Sequence, residues 1–301
     1  MSRKTEDGNT VKKNRRRRGD RKDGRLIRDL DSLHVMMPYM YPNRTDCEAF
    51  ISDTVELAPI TEYLKKKNAG VKDKFSIFQL IAVAAGKTIV LRPKMNRFIS
   101  GYRFYQRNDV TVSFVVKQAM SEDADEALAF LKIKPDSTLD TVHDDLLRQI
   151  ELCRSESEKD GATENLDIVK KLPTPILRAF MWLMRKLDFK GKIPASLVET
   201  DPTRASVFMT NLGSIGLKAG YHHLTNWGTN SVFIVIGNKH KAPFHNDDGT
   251  CVMREVLDIG ITLDERIADG YYFAKTIKLL KYLLKNPELL ELPMETPVSG
   301  I

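Results

Sequence analysis

The chain has 301 residues, 42% hydrophobic and 29% charged, with a formal net charge of +7. This is an ordinary globular composition, long enough for one large domain or two small ones. No apolar run reaches the roughly 18 residues of a membrane span, and a charged N-terminus without an apolar stretch behind it predicts no secretory leader.

The basicity is local. Residues 1–28 hold twelve Lys or Arg against four Asp or Glu, so the remainder is close to neutral. Without apolar periodicity, 1–28 is expected to be a disordered basic tail ahead of a domain over 29–301. Charge alone would let it meet an anionic membrane or an acidic partner, and no specific nucleic-acid motif is present. Cys47, Cys153 and Cys251 are too scattered for a disulfide framework or a zinc motif, which fits a reducing cytoplasm.

In chain order, RLIRDLDSLHVMMPYMYPNR (25–44) mixes apolar residues with proline and reads as an irregular arm. EAFISDTVEL (48–57) reads as a strand, and Pro59 opens a short helix. Ser76 caps a strong helix over 77–91 that stops before Pro93. Strands at 101–107 and 110–118 are expected to form a hairpin through Asn108-Asp109.

A helix over 139–157 carries the stripe Leu139, Val142, Leu146, Ile150. His143, Asp144 and Asp145 point different ways around it and read as a solvated face. After a polar loop at 155–165 comes a helix over 175–189, with Ile176, Phe180, Leu183 and Leu187 on one side. Arg178, Arg185 and Lys186 interrupt that side. Packing on its own domain is the leading use; lying on a membrane surface or walling a pocket are the others.

The last third returns to strands at 206–213, 231–238 and 251–263, the latter two flanking the hairpin signal NDDG (246–249). A helix from Tyr271 to Lys285 ends at Asn286-Pro287. The order implies an α+β domain with a mixed sheet. Gly213, Gly216 and Gly220 form no dinucleotide or P-loop fingerprint, and His222, His223, His240 and His245 match no metal spacing.

The segment LDERIADGYYF (263–273) sets four charges at the end of a strand whose Leu257, Ile259, Ile261 and Leu263 share one apolar face. A polar turn with Asp269 as a helix cap is one reading, and an active site is the other.

Several motifs in a fixed order bear on that choice: SVFMTNLGSIG, NSVFIVIGNKHKAP, DDGTCVMREVLDIGITLDERIADG and LLKNPELL, preceded by PNRTDCEAF (42–50) and RPKMNRFISGYRFYQRNDVTVSFVV (92–116). Together they resemble the catalytic domain of the 2-oxo acid dehydrogenase acyltransferases, which shares its fold with chloramphenicol acetyltransferase. The resemblance covers roughly 40–157 and 205–292, with 158–204 reading as a helical insertion. It implies a mixed sheet flanked by helices, acyl transfer between coenzyme A and a thiol or hydroxyl acceptor, no metal, and a homotrimer with active sites between subunits.

Carried over by position, the resemblance makes Thr210 the hydrogen-bond donor to the tetrahedral oxyanion. It makes Asp269 the motif aspartate and Arg44 its buried partner, with Gly270 keeping a tight entry to the last helix. The family's histidine, its general base, is replaced here by Glu265. A glutamate near pKa 4.3 is about two units weaker as a base than an imidazole near 6.5. Either Glu265 is a desolvated base, or the site is catalytically silent and the fold binds acyl-CoA or serves assembly. His222 or His223 could supply the missing imidazole from another segment. Residues 1–39 are too short for a lipoyl domain, so no lipoyl group is expected on this chain and the acceptor would be free or come from another protein. The expected setting is cytoplasmic, with a membrane-peripheral location as the alternative.

Overall fold

A computed structural model of the protein describes residues 16–117, 126–154, 173–194, 201–245 and 248–300. The polar loop at 155–165 lies outside these residues, as does half of the NDDG turn.

A six-stranded mixed sheet carries the molecule. Its strands are β2 (Glu48–Glu56), β5 (Val110–Lys117), β6 (Glu126–Ile133), β7 (Val207–Asn211), β8 (Val232–His245) and β9 (Cys251–Asp264), in the order β2-β9-β8-β7-β5-β6. β7 runs parallel to both β5 and β8, and the remaining pairs are antiparallel. Alternation at period two turns Val207 and Met209, Val232, Ile234 and Ile236, and Leu257, Ile259, Ile261 and Leu263 to one face. The stripe read from β9 is thus its buried side. Phe208, Phe233 and Val235 face the other way and form a second, smaller cluster with Leu224.

The inner face is covered by α2 (Ala58–Lys67), α3 (Ile77–Leu91), α4 (Leu139–Arg154) and α6 (Gly270–Lys285). α3 opens with a full capping box, Ser76 with Gln79, and is buried on nearly every side, as its mostly apolar sequence requires. Its one cation is enclosed: Lys87 is fully buried and Nζ donates to the carbonyls of Leu289, Leu292 and Pro293 at 2.8, 3.2 and 3.0 Å. Burial without a carboxylate pushes its pKa down, and the three carbonyls are what make the charge tolerable there.

A small sheet, ordered β1-β4-β3, packs at one end (β1, Gly24–Leu26; β3, Arg97–Ser100; β4, Arg103–Arg107). It corrects two expectations. The strands at 101–107 and 110–118 are not a hairpin: β4 turns back on β3 through Gly101 and Tyr102, both at φ +59°, while β5 enters the large sheet. Asn108 marks the corner between sheets, where its side chain donates to Lys22 O. The stretch read as a disordered basic tail is described from Arg16 onward, and part of it packs on the domain. Arg21 is buried, pairing with Asp23 at 2.8 Å and with Asp188 at 3.0 Å. A partner 167 residues away holds it, and composition cannot show such a partner.

Three further differences follow from local chemistry. The arm at 25–44 contains α1 (Ser32–Met40), because the Asp31 carboxylate accepts from His34 N–H and caps it. β3 and β6 are strands that were not foreseen. His143 is not on a solvated face: it is buried and stacks on Phe75 at 3.9 Å. The helix expected at 175–189 is α5 (Thr174–Phe189), with Met184 inward and Ile176, Trp182 and Leu183 exposed. No helix among the described residues is long and apolar enough to cross a membrane.

All three cysteines are free thiols. Burial, reinforced by the nearby Asp264 and Glu265 carboxylates against the opposing charge of Arg266, pushes the Cys47 thiol up to about 11. At pH 8 we expect exposed Cys251 to alkylate quickly and Cys47 to stay protected, with Cys47 labelling rising only as pH approaches 11. The linkage has one sign: an unfolded thiol ionises first, so this group costs stability as pH rises above its unfolded value toward 11. Mass-spectrometric labelling kinetics check it, and equal rates at pH 8 would contradict it.

Candidate active site

The tripeptide Asp264-Glu265-Arg266 is organised by its two outer charges. β9 ends at Asp264, whose fully buried carboxylate caps a short 3-10 turn (265–267) by accepting from Arg266 N–H. The same carboxylate takes Arg266 Nε and Nη2 at 2.8 and 2.7 Å, a bidentate clasp between residues two apart. The clasp joins the strand's last residue to the second residue of the turn and leaves Glu265 between them. Glu265 is exposed, its backbone N–H fixed to Cys47 O at 2.9 Å.

Arg44 does not pair with Asp269, which corrects the expected ion pair. Arg44 is buried with Nε 3.5 Å from Asp264, and the clasp thereby becomes a buried Arg–Asp–Arg group. Asp269 stands beyond the turn as the N-cap of α6, accepting from Tyr272 N–H at 2.9 Å, with Lys94 at 3.8 Å. The bond from Tyr272 N–H holds its carboxyl below the usual carboxylate range. The strand-end carboxylate wins Arg44 because it is the one on the buried side. Gly270, at the entry to α6, has open space where a Cβ would sit, so no steric demand fixes it as glycine.

Thr210 lies on β7 with its side chain on the outer face. Among the described residues nothing hydrogen-bonds its hydroxyl. The chain between β7 and β8 crosses this face. Ala219 lies on Gly237 of β8 and Gly220 on Gly260 of β9, so closely that a Cβ on Gly260 would stand 2.0 Å from Gly220 O. Tyr221 then meets Phe50 of β2 at 5.2 Å. His222 returns over β8 to stack on Phe233 at 4.2 Å, and Phe233 stacks on Phe208 at 4.9 Å.

Arginines hold the far end of the crossing: Arg44 N–H donates to Asn226 Oδ1 at 2.8 Å and its Nη1 to Thr225 O, while Arg107 donates to Thr229 Oγ1 at 3.0 Å and to Thr229 O. Arg107 is itself buried, which lowers its pKa to about 9 despite the opposing pull of Asp23. Arg204, beneath, pairs with Asp188 at 3.0 Å and Asp201 at 3.2 Å.

Thr210, His222, His223, Leu224, Phe208 and Phe233 line one mostly apolar cavity of about 450 Å³. Glu265 is not among its walls. In register, Thr210 is level with Val235 and Val235 with Gly260. Two strand spacings across and four residues along place Asp264 about 16 Å from Thr210, with Glu265 beyond it. Within one chain the carried-over donor and the carried-over base position are apart. Sequence reasoning missed the Asp264–Arg266 clasp, although the motif spelled it, and noted the two histidines without a means of placing them beside Thr210.

The glycine seat of the crossing gives a direct test. Gly260→Ala should lower stability by about 1–3 kcal/mol, because Gly220 O is backbone and must move away. Thermal unfolding reads this, and an unchanged midpoint would show that the crossing is not held on the sheet.

Residues 194–292 match the family model described as 2-oxoacid dehydrogenases acyltransferase (catalytic domain). The fold resembles a probable dihydrolipoamide acetyltransferase from Listeria monocytogenes at 11% identity, covering 86% of this chain and 94% of that one with a TM-score of 0.57. It also resembles dihydrolipoamide acetyltransferase of Azotobacter vinelandii at 15% identity, 89% and 95% coverage and a TM-score of 0.57. For a chloramphenicol acetyltransferase the values are 13%, 87%, 99% and 0.51. No curated protein matches the chain. The acyltransferase resemblance and the mixed sheet flanked by helices are thus borne out.

Proposed function

We infer, from a C-terminal third that matches an acyltransferase catalytic domain and a chain that shares its fold, that this protein moves an acyl group between coenzyme A and a thiol or hydroxyl acceptor. The observation that carries this is the Thr210 hydroxyl, inside the matched third and without a hydrogen-bond partner among the described residues, on the wall of an apolar cavity. Work on the Azotobacter enzyme concerns a serine, a histidine and an asparagine in its catalytic mechanism. Thr210, Glu265 and Asp269 follow in that chain order. The first keeps a hydroxyl, the last exchanges amide for carboxylate, and the middle one loses an imidazole.

We assign the protein to a homotrimer, as the resemblance implies. A neighbouring subunit is then what brings a Glu265 toward the Thr210 cavity, since one chain keeps them about 16 Å or more apart. The basic stretch is proposed to meet anionic surfaces or acidic partners, because Arg16, Arg17, Lys22 and Arg28 gather around one open cavity of about 370 Å³. A second reading has its own observation: Glu265 is exposed, without the burial that strengthens a carboxylate as a base, which suits a silent acyl-CoA-binding or assembly homologue. Calorimetric titration with acyl-CoAs, followed by assay of CoA release with thiol and hydroxyl acceptors, separates the two. Turnover supports the first reading, binding alone the second, and neither would defeat the acyl-CoA assignment.

A further inference from the structure

A substituted base raises the question of what takes the acceptor's proton. We propose that His222, supplied by the same chain as Thr210, is that base; the assignment rests on the acyl-transfer reading above. His222 and Thr210 line the same cavity, whereas Glu265 does not. Its ring is held on two sides, parallel to Phe233 within 8° at 4.2 Å and against His223 at 4.7 Å. The residue is exposed on its other side, so Nε2 is open to the cavity and to an incoming acceptor.

The ring's hydrogen bond selects the useful tautomer. His222 Nδ1 lies 2.8 Å from His223 O. A carbonyl can only accept, so Nδ1 of the neutral ring carries the proton and Nε2 keeps its lone pair. The segment around the ring is anchored as well. Leu224 is buried and its N–H donates to the Glu48 carboxylate, and the preceding Ala219–Gly220 sits on Gly237 and Gly260. The ionisable groups set near His222 by these contacts are His223 on the same segment, whose Nδ1 is bonded to Leu224 O at 3.0 Å, and Glu48 of β2, which accepts from Leu224 N–H.

The step balances without a further reactant. Nε2 takes the proton of the acceptor S–H or O–H while the acceptor atom bonds to the thioester carbonyl carbon. The oxyanion so formed accepts from the Thr210 hydroxyl. Collapse breaks the carbon–sulfur bond, and the imidazolium returns its proton to the departing CoA thiolate. The products are the acylated acceptor and CoA–SH. Both catalytic side chains lie on the outer face of one subunit, so the chemistry needs no histidine in the turn after β9.

The test compares single variants in the full chain. His222→Asn retains a polar donor near His223 O and removes Nε2. We expect kcat to fall about 100-fold or more, within the usual range for a lost general base, with KM for acyl-CoA little changed. The acidic limb of the wild-type pH–kcat profile should disappear. His223→Asn should lower kcat less than about tenfold and keep the limb. If His222→Asn leaves rate and limb intact, or if Glu265→Gln removes them, the assignment is overturned while acyl transfer stands. If the wild-type chain turns over no acyl-CoA, the acyl-transfer reading fails and takes the base with it.

Discussion

Asp264→Ala should destabilise the protein by about 3–5 kcal/mol, the range for removing one partner of a buried charge group. The carboxylate is fully buried; it accepts from Arg266 N–H and, through two bonds, from the Arg266 guanidinium, and it forms an ion pair with Arg44 Nε at 3.5 Å. Its loss strands two buried guanidiniums with mainly carbonyl partners, Arg266 on Tyr41 O and Arg44 on Thr225 O. Desolvation already opposes the charge of Arg44, and Asp264 is its leading compensation. Asp264→Asn retains an acceptor for the turn and should cost less. Urea unfolding measures both, and a change below about 1 kcal/mol for the alanine variant would mean that water reaches the group. The clasp also aims residue 265, so the alanine variant should lose the defined turn even where it remains folded.

Thr210→Ala should lower kcat for acyl transfer by about 100- to 1000-fold, the usual loss when one oxyanion donor is removed. Among the described residues the hydroxyl has no competing partner, and it stands on a strand flanked by neighbours on both sides, so its position is set by the sheet. An interaction made only with the transition state lowers kcat and kcat/KM together and leaves KM unmoved. Thr210→Ser keeps the donor and should restore most of the rate. Steady-state release of CoA reads all three chains. A Thr210→Ala enzyme with wild-type kcat would remove this residue from the chemistry, whichever group accepts the proton.

Much of the fold could be read where one local signal dominated. The alternation in β9, the Ser76–Gln79 box ahead of an apolar run, and Asp269 at the head of α6 each carry their structure within a few residues. The failures have a common cause in distance. Arg21 looks like tail until Asp188 is beside it, and Arg44 was matched to the wrong aspartate because motif spacing does not say which carboxylate lies on the buried side. The hairpin was misassigned because Asn108-Asp109 has turn composition, while the true turn places a tyrosine at φ +59°, a conformation its residue type does not advertise. At the site, Thr210 and the motif turn were legible from their order along the chain. The His222 stack on Phe233 was not, because it depends on a crossing segment seated on glycines of two other strands.

The placement of β9 between β2 and β8 has a consequence for how the molecule is made. β2 begins at Glu48, and its partner at that end is Asp264. On a ribosome adding roughly 5–20 residues each second, β2 therefore waits on the order of ten seconds or more for the strand that covers its edge. Until then the edges of β2 and β8 that β9 will join are open, and such edges pair with other chains. Nascent chains halted before residue 264 should recruit chaperones, and their release should coincide with emergence of β9 rather than with any earlier element.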